Sequence, residues 1–343
     1  MKTRDAYYDN AKFLLVFFVV FGHLIQSFIH EQHWIYTLYT TIYTFHMPAF
    51  ILISGFFAKG IHKKGYLKKI TKKLIVPYLI FQGIYSIYYF FIHENNGIEL
   101  DPLVPQWSLW FLISLFCWNI MLYIFTKWKT SVALFLSIAL GIAVGYFEEI
   151  NSFLSLSRTF VFFPFFLIGY YLKKEYFEML RNVRVKFISL FVLAVIFAII
   201  YLLPEFDYKW LYGSKPYSLL DSTQVNGGII RLGVYALTSL ATLSFLALVP
   251  KEKYFFTKWG MSSIYVYLLH GFFIKYFRNS VLVEILKDSQ QIFIIIFISI
   301  VLTTFLSSKM IRKIAQPLIE LKTSFSFLDY IRPARTMNGH EAK

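Results

Sequence analysis

Three histidines stand inside long apolar stretches of this sequence, where a titratable side chain is unusual. His23 lies in "FLLVFFVVFGHLI", His46 in "TFHMPAFILI" and His270 in "YVYLLHGFF". An ionisable residue within a membrane span normally faces the protein interior or a water-filled cavity. Desolvation favours the neutral imidazole, which is the form that takes a proton from a hydroxyl. The three histidines are therefore candidates for acid-base chemistry at membrane depth.

The face of the first apolar segment links one of these histidines to charged residues. Asp9, Lys12 and His23 keep the spacing of one helical face. On an ideal helix Lys12 and His23 lie about 20° apart around the axis and about 16 Å apart along it. We interpret His23 as a general base, with Asp9 and Lys12 at the inner mouth of a site. A packing face with one hydrogen-bonded histidine is the alternative.

The other two histidines come to a depth similar to that of His23. Tyr267 lies three residues before His270, on the same helical face. We expect His46, Tyr267 and His270 to bind a substrate. No carboxylate accompanies the histidines, and no two of them share a His-x-x-His or His-x-x-x-His spacing, so the sequence predicts no metal site.

Basic residues gather between the second and third apolar segments. The stretch 59–73 contains seven lysines, of which we assign Lys68, Lys69, Lys72 and Lys73 to the binding of a phosphate-bearing nucleotide cofactor. Contact with anionic lipid is the alternative. No Walker-type loop or G-x-G-x-x-G turn supports an ATPase or a Rossmann site.

Two arginines lie at the outward ends of predicted spans. Arg158 and Arg231 are either snorkelling side chains or fixed donors to the oxygens of an acceptor entering from outside. Both alternatives stay open at this point.

Composition predicts an all-α protein, a polytopic membrane helix bundle of about ten transmembrane helices. Of the 343 residues, 57% are hydrophobic and only 15% are charged, and apolar runs recur along the whole chain. The net charge of +15 indicates loops that face anionic membrane lipid rather than a nucleic-acid partner. The lone Cys117 excludes an intrachain disulfide. The ten predicted spans are 11–29, 37–58, 74–92, 107–126, 131–147, 159–172, 187–203, 229–249, 260–277 and 291–308.

The distribution of lysine and arginine predicts the orientation. With a cytoplasmic amino terminus, 27 of the 34 Lys and Arg residues fall on the inner side. Both termini are then cytoplasmic. We divide the chain into an integral membrane domain, 1–308, and a basic cytoplasmic tail, 309–343, and expect a multi-pass protein of the cell membrane. The sixth span is short and carries Pro164, so a kink or a re-entrant segment is expected there.

Several motifs together resemble the membrane-bound acyltransferase-3 family. Its members usually begin with Asp-x-x-Arg and place a histidine eleven residues after the arginine, and Asp9, Lys12 and His23 keep that spacing. "FILISGFF", "TKKLIVP" and "WGMSSIYVYLLHGFF" are similar to later family motifs and follow in the same order. "FHMP", "LWFLISLF" and "SRTFVFFPFFLIGYYL" resemble the fucose 4-O-acetylase-like branch of bacterial proteins. The resemblance covers most of residues 5–275.

This resemblance implies an O-acyltransferase. The donor would be acyl-CoA, usually acetyl-CoA, bound from the cytoplasm, and the acceptor a hydroxyl of a cell-envelope sugar or glycan. The chain departs from the family pattern at two positions: Lys12 replaces the arginine, and Leu112 in "WSLWFL" replaces a glutamate that many relatives carry. An acidic partner from that helix is therefore absent.

Two functions from other classes remain. Ten spans with buried histidines also suit a transporter or flippase for a glycan or small solute, although no Asp or Glu lies deep in a predicted span and no inverted repeat is apparent. A membrane scaffold that moves no acyl group is the third alternative.

Overall fold

The computed structural model describes residues 4–93, 101–150, 153–203, 206–220, 224–289 and 292–322. These residues form helices and connecting loops, with no strand among them. The α-helices are α1 Ala6–Ile25, α2 His33–Phe56, α3 Tyr66–His93, α4 Trp110–Phe125, α5 Thr130–Ala143, α6 Leu156–Tyr171, α7 Lys174–Leu180, α8 Val183–Leu202, α9 Lys209–Tyr212, α10 Gln224–Leu248, α11 Ser263–Arg278, α12 Val281–Ser289, α13 Ile292–Leu306 and α14 Lys309–Glu320. The predicted all-α fold is confirmed.

Each of the ten apolar segments coincides with a helix. A helix pairs its backbone N–H and C=O groups within itself, which a segment surrounded by lipid requires. Among the residues that the structure describes, six helices are long and apolar enough to cross a membrane, and a seventh span results if α13 and α14 form one bent span. The figure of ten spans and the cytoplasmic placement of both termini stay predictions. The sixth segment belongs to α6, which continues as a helix through Pro164.

Helix α1 lies in the interior of the bundle and is held there at its beginning. The Asp5 carboxylate accepts a hydrogen bond from the backbone N–H of Tyr7 at 3.1 Å, which caps the helix. The buried Tyr7 hydroxyl donates to the carbonyl oxygen of Leu246 in α10 at 2.8 Å. Asn10 donates to the carbonyl oxygens of Pro250 and Glu252 at 2.9 and 2.8 Å. These contacts fix the helix that carries Asp9, Lys12 and His23.

Helices α2 and α6 cross at a pair of glycines. A Cβ atom at Gly55 would lie 2.0 Å from the carbonyl oxygen of Phe166, and one at Gly169 would lie 2.0 Å from that of Leu52. Only glycine allows backbones to approach this closely, as in other small-residue helix crossings in membranes. The crossing draws the segments "FILISGFF" and "FFLIGYY" together and sets the position of α2.

Helix α14 follows α13 after a bend of 63° between the two helices. Its Ala315 and Ile319 are buried, and Glu320 accepts a hydrogen bond from the Tyr265 hydroxyl of α11 at 2.7 Å. The first part of the predicted tail is thus a helix that packs on the bundle. The division of the chain at residue 308 stays a prediction, and residues 323–343 of the tail lie outside the described residues.

Candidate active site

Two cavities lie toward opposite ends of the same four helices, α1, α2, α4 and α11. The larger, about 540 Å³, contains lysines and is called the lysine cavity; the smaller, about 280 Å³, contains histidines and is called the histidine cavity. The lysine cavity is lined by Arg4, Lys12, Phe50, Ile53, Ser54, Phe57, Ala58, Tyr66, Lys69, Ile70, Lys73, Leu74, Leu115, Asn119, Gly260, Met261, Ser263 and Ile264. The histidine cavity is lined by His23, Gln26, Tyr43, His46, Met47, Trp107, Ser108, Trp110, Arg158, Phe162, Leu211, Tyr212, Lys275 and Arg278.

His23 forms part of the wall of the histidine cavity and is surrounded by rings. Its imidazole lies 4.6 Å from the Trp107 ring and 5.6 Å from the His270 ring, measured between centroids. The Tyr43 hydroxyl lies 3.4 Å from Nδ1 of His23. Within the described part of the chain no hydrogen bond involves Nε2 of His23, and the residue lines the cavity.

The ring beside His23 is held by unusual backbone geometry. Trp107 has a φ of 36°, in the left-handed region that residues other than Gly and Asn rarely adopt. Its indole also packs against Gly271, where a Cβ atom would lie 2.7 Å from the ring. Gly271, next to His270 in the chain, therefore provides the space for Trp107. Such local strain is typical of functional sites.

His46 and His270 are each fixed by a backbone carbonyl one helical turn earlier. Nδ1 of His46 donates to the Ile42 oxygen at 2.9 Å, and Nδ1 of His270 donates to the Val266 oxygen at 3.0 Å. A carbonyl oxygen only accepts, so the proton is on Nδ1 and the lone pair on Nε2. His46 lines the cavity, whereas His270 is fully buried behind His23, and its Nε2 has no partner among the described residues.

Two further cations, Lys275 and Arg278, line the histidine cavity. Arg278 donates to the carbonyl oxygen of His23 at 2.8 Å and to the side-chain oxygen of Gln26 at 2.5 Å. Arg278 thereby caps the carbonyl end of α1 and positions His23. Lys275 lies 5.7 Å from the Trp107 ring. No motif marks these residues, and their only signal was their place in the last turn of the helix that carries His270.

Arg158 and Arg231, which the sequence treats alike, have different surroundings. Arg158 lines the histidine cavity and lies 5.1 Å from the Trp110 ring. Arg231 is 1% exposed and donates to the carbonyl oxygen of Trp210 at 2.7 Å. It does not line the histidine cavity. The structure thus brings Arg158, but not Arg231, together with the histidines.

Tyr267 lies in the wall between the two cavities rather than in either of them. Its hydroxyl donates to the backbone oxygen of Ser108. Its ring lies 5.6 Å from the Phe111 ring, which in turn lies 5.5 Å from the ring of Phe50. Along their helices, these three aromatic residues lie between the residues of the histidine cavity and the deeper residues of the lysine cavity, which Phe50 also lines.

The lysine cavity includes two of the four lysines that the sequence assigns to the donor. Lys69 and Lys73 line it, while Lys68 and Lys72 do not. All four lie in the first turns of α3, where residues four apart share a face and adjacent residues point about 100° away from one another. The cavity therefore selects one lysine pair.

Asp9 does not line the lysine cavity but holds two cations that do. Its carboxylate accepts hydrogen bonds from Nε and Nη2 of Arg4 at 2.5 and 2.8 Å, and it lies 3.6 Å from Nζ of Lys12. The bonds to Asp9 raise the pKa of Arg4 above its ordinary value. Gly260 lets another segment approach, since a Cβ atom there would lie 2.0 Å from the Asp9 carbonyl oxygen.

No acidic side chain lines either cavity in the part of the chain that the structure describes. Leu112, at the position of the family's glutamate, is buried at 2% exposure in the apolar core. The described residues also contain no group of three or more His, Cys, Asp or Glu side chains arranged to hold a metal ion. The site offers imidazoles and cations to a substrate.

The sequence profile of an acyltransferase domain matches residues 5–310, which is nearly the whole chain. The chain therefore belongs to the acyltransferase-3 family. Residues of this chain are also similar to the nodulation protein NolL of two organisms. The match is 27% identical to that of Sinorhizobium fredii over 129 residues, 33% of this chain and 35% of the relative. It is 34% identical to that of Mesorhizobium japonicum over 84 residues, 22% of each chain. The matches thus span about a third of one relative and about a fifth of the other. No solved structure matches the chain.

Proposed function

We propose that this protein is a membrane-bound O-acyltransferase that moves an acyl group, acetyl in the simplest case, from cytoplasmic acyl-CoA to a hydroxyl of a cell-envelope sugar or glycan. The observation that carries the proposal is the placement of a basic cavity and a histidine cavity along one face of α1, with Lys12 in the first and His23 in the second. Family membership points to the same class of reaction.

The lysine cavity suits the phosphates of an acyl-CoA donor. Four cations, Arg4, Lys12, Lys69 and Lys73, line this cavity, and none of the described residues that line it is acidic. Lysine and arginine bind phosphate by charge-assisted hydrogen bonds. The Ser54 hydroxyl and the Asn119 amide add neutral polar groups to the lining of this cavity.

In the proposed reaction, His23 takes the proton of the acceptor hydroxyl as the hydroxyl oxygen attacks the acyl carbonyl carbon. The carbon–sulfur bond then breaks, and His23 returns the proton to the departing sulfur. Transfer of this kind requires a base close to the hydroxyl and donors for the oxyanion. Arg278 positions His23 through its carbonyl oxygen, and a tyrosine hydroxyl, that of Tyr43, lies beside it.

The aromatic wall of Phe50, Phe111 and Tyr267 lies where the acyl group must cross. The acyl end of the donor has to reach His23 past these rings, and their apolar surfaces exclude water from a thioester that would otherwise hydrolyse. The same cavities on one axis also suit a transporter, which would move a solute without forming an ester.

Acyl transfer to glycan separates these functions. Purified protein is incubated with acetyl-CoA labelled with ¹⁴C in the acetyl group and with a cell-envelope extract, and ester-linked label in glycan is measured after chromatography. The enzyme is expected to give label that mild alkali releases. Absence of such label, together with uptake of solute into vesicles, would favour the transporter and reject the proposal.

A further inference from the structure

The histidine cavity carries positive charge that no acidic side chain among its described lining residues neutralises. Arg158, Lys275 and Arg278 line it, and no Asp or Glu is among its lining residues in the described part of the chain. The acidic residues Glu31 and Asp207 pair with other lysines, at 3.2 Å to Lys287 and 3.3 Å to Lys209. Cations inside a membrane protein are costly unless an anion or hydrogen-bond acceptors compensate them.

The three cations differ in how far the protein already uses them. One terminal nitrogen of Arg278 donates hydrogen bonds to the carbonyl oxygen of His23 and the amide oxygen of Gln26. Arg158 makes no hydrogen bond or ion pair with the described residues, and its one contact of note is with the Trp110 ring. Lys275 lies over the Tyr89 and Trp107 rings, at 5.2 and 5.7 Å, and forms no ion pair there. Arg158 and Lys275 are therefore the cations open to a ligand.

A neutral donor lies beside them without a partner. The hydroxyl of Ser108 is buried, lines the same cavity, and forms no hydrogen bond with the described residues. Buried hydroxyls in native proteins normally have partners, and that of Ser108 is one of several here that have none among the described residues. The two open cations, rather than this hydroxyl, therefore define the chemistry of the ligand.

From this arrangement we propose that the acceptor bears an anionic group, a phosphate or a carboxylate, which binds Arg158 and Lys275 while its hydroxyl faces His23. This inference rests on the proposed acyl transfer, since it identifies the class of acceptor for the same site. The planar guanidinium of Arg158 matches two oxygens of either anion. A phosphate would come from a phosphate-linked sugar and a carboxylate from an acidic sugar.

Binding of sugars without any acyl donor tests the proposal separately from catalysis. Full-length protein in detergent is titrated with glucose, glucose 1-phosphate and glucuronate at constant ionic strength, and binding is followed by tryptophan fluorescence, because Trp107 and Trp110 line the cavity. We expect at least one anionic sugar to bind about 10- to 100-fold more tightly than glucose, as loss of a charged hydrogen-bond partner predicts. The preferred anion identifies the source as phosphate or carboxylate.

Substitutions of the cavity cations test which residues cause the preference for an anionic sugar over glucose. Arg158→Gln should reduce the ratio between the anionic sugar and glucose to about twofold or less, and Lys275→Gln, which leaves α6 intact, should reduce it in the same direction. The control Lys287→Gln removes a cation outside the cavity and should leave the ratio unchanged. Equal binding of all three sugars to the unmodified protein would overturn the proposal, as would a ratio that survives both cavity variants. A role of Arg158 only at the transition state would lower turnover without altering this ratio.

Discussion

The three histidines within the apolar helices have different freedom to act, because His46 and His270 are buried whereas His23 is partly exposed. His23 lines the histidine cavity, and its ring lies 5.6 Å from that of His270, which is fully buried. His46 also lines the cavity, with its Nδ1 proton fixed on the Ile42 carbonyl. His23 and His46 are thus the two candidate bases, and only His23 shares the face of α1 with the lysine cavity.

Replacing His23 tests its role directly. We expect His23→Ala to lower turnover by about 10²–10⁴-fold, the usual effect of losing a general base, while the protein still inserts and binds acyl-CoA. Turnover is measured per folded molecule, with the folded fraction taken from size-exclusion chromatography.

His46→Ala and His270→Ala are the comparison variants and should cost less turnover than His23→Ala. A histidine that only packs would lower the yield of folded protein and leave the surviving molecules active. Near-normal turnover of His23→Ala would exclude His23 as the base, and a much larger loss in His46→Ala would assign the base to His46.

The division among the lysines of α3 gives a second prediction at this scale. Lys69→Gln with Lys73→Gln should raise the KM for acetyl-CoA by about two- to tenfold, because both side chains are exposed and each charge contact contributes little on its own. The increase should shrink as salt concentration rises.

The matched control removes the other pair. Lys68→Gln with Lys72→Gln takes the same charge from the same two turns of α3, but neither residue lines the lysine cavity. A KM that responds equally to both double variants would indicate a diffuse attraction for the donor or contact with anionic lipid instead of a defined site.

At the scale of elements, the periodicity of the sequence predicted those features of the site that lie on a single helix. The shared face of Asp9, Lys12 and His23 follows from residue spacing alone, and the structure places Lys12 and His23 at the two cavities. The sequence did not identify Arg278 as a partner of His23, because that contact joins residues 255 positions apart on different helices. Nor did it separate Arg158 from Arg231, since burial depends on the packing of neighbouring helices.

The α2–α6 crossing was equally invisible in the sequence, and it supports a prediction about stability. Gly169→Ala should lower the free energy of unfolding by about 1–3 kcal/mol, because its Cβ atom would overlap the Leu52 carbonyl and force the helices apart. Thermal unfolding in detergent, followed by loss of monodisperse protein, measures the change.

Gly233→Ala is the control for that variant. Gly233 also lies inside a helix, α10, but a Cβ atom there would meet nothing within 4 Å. Alanine favours a helix over glycine by about 0.5–1 kcal/mol, so this variant should be neutral or slightly stabilising. Equal destabilisation by both substitutions would mean that the close approach at Gly169 does not determine the packing.

At the scale of the whole molecule, the proposed reaction requires that the donor enters the lysine cavity and the acceptor enters the histidine cavity from opposite sides of the membrane. Helices α1, α2, α4 and α11 all have residues in both cavities, and the aromatic wall of Phe50, Phe111 and Tyr267 lies between. Apolar runs predicted all four helices as spans, but by helix length and mean hydropathy only α1 and α4 qualify among the described residues, since α2 is rich in Thr and Tyr and α11 has 16 residues. Their place in the bundle depends on helix packing, which apolar run length does not encode.

Transfer across a sealed membrane therefore tests directly whether the donor and the acceptor bind from opposite sides. Protein is reconstituted into vesicles that enclose a cell-envelope glycan extract, and protease access to the 59–73 loop establishes which molecules have their lysine cavity outward. Labelled acetyl-CoA is then added outside. The account predicts that label appears on the enclosed glycan, in proportion to the outward-facing fraction, and that His23→Ala abolishes it. Label that forms only when acetyl-CoA and glycan share one compartment would contradict the account.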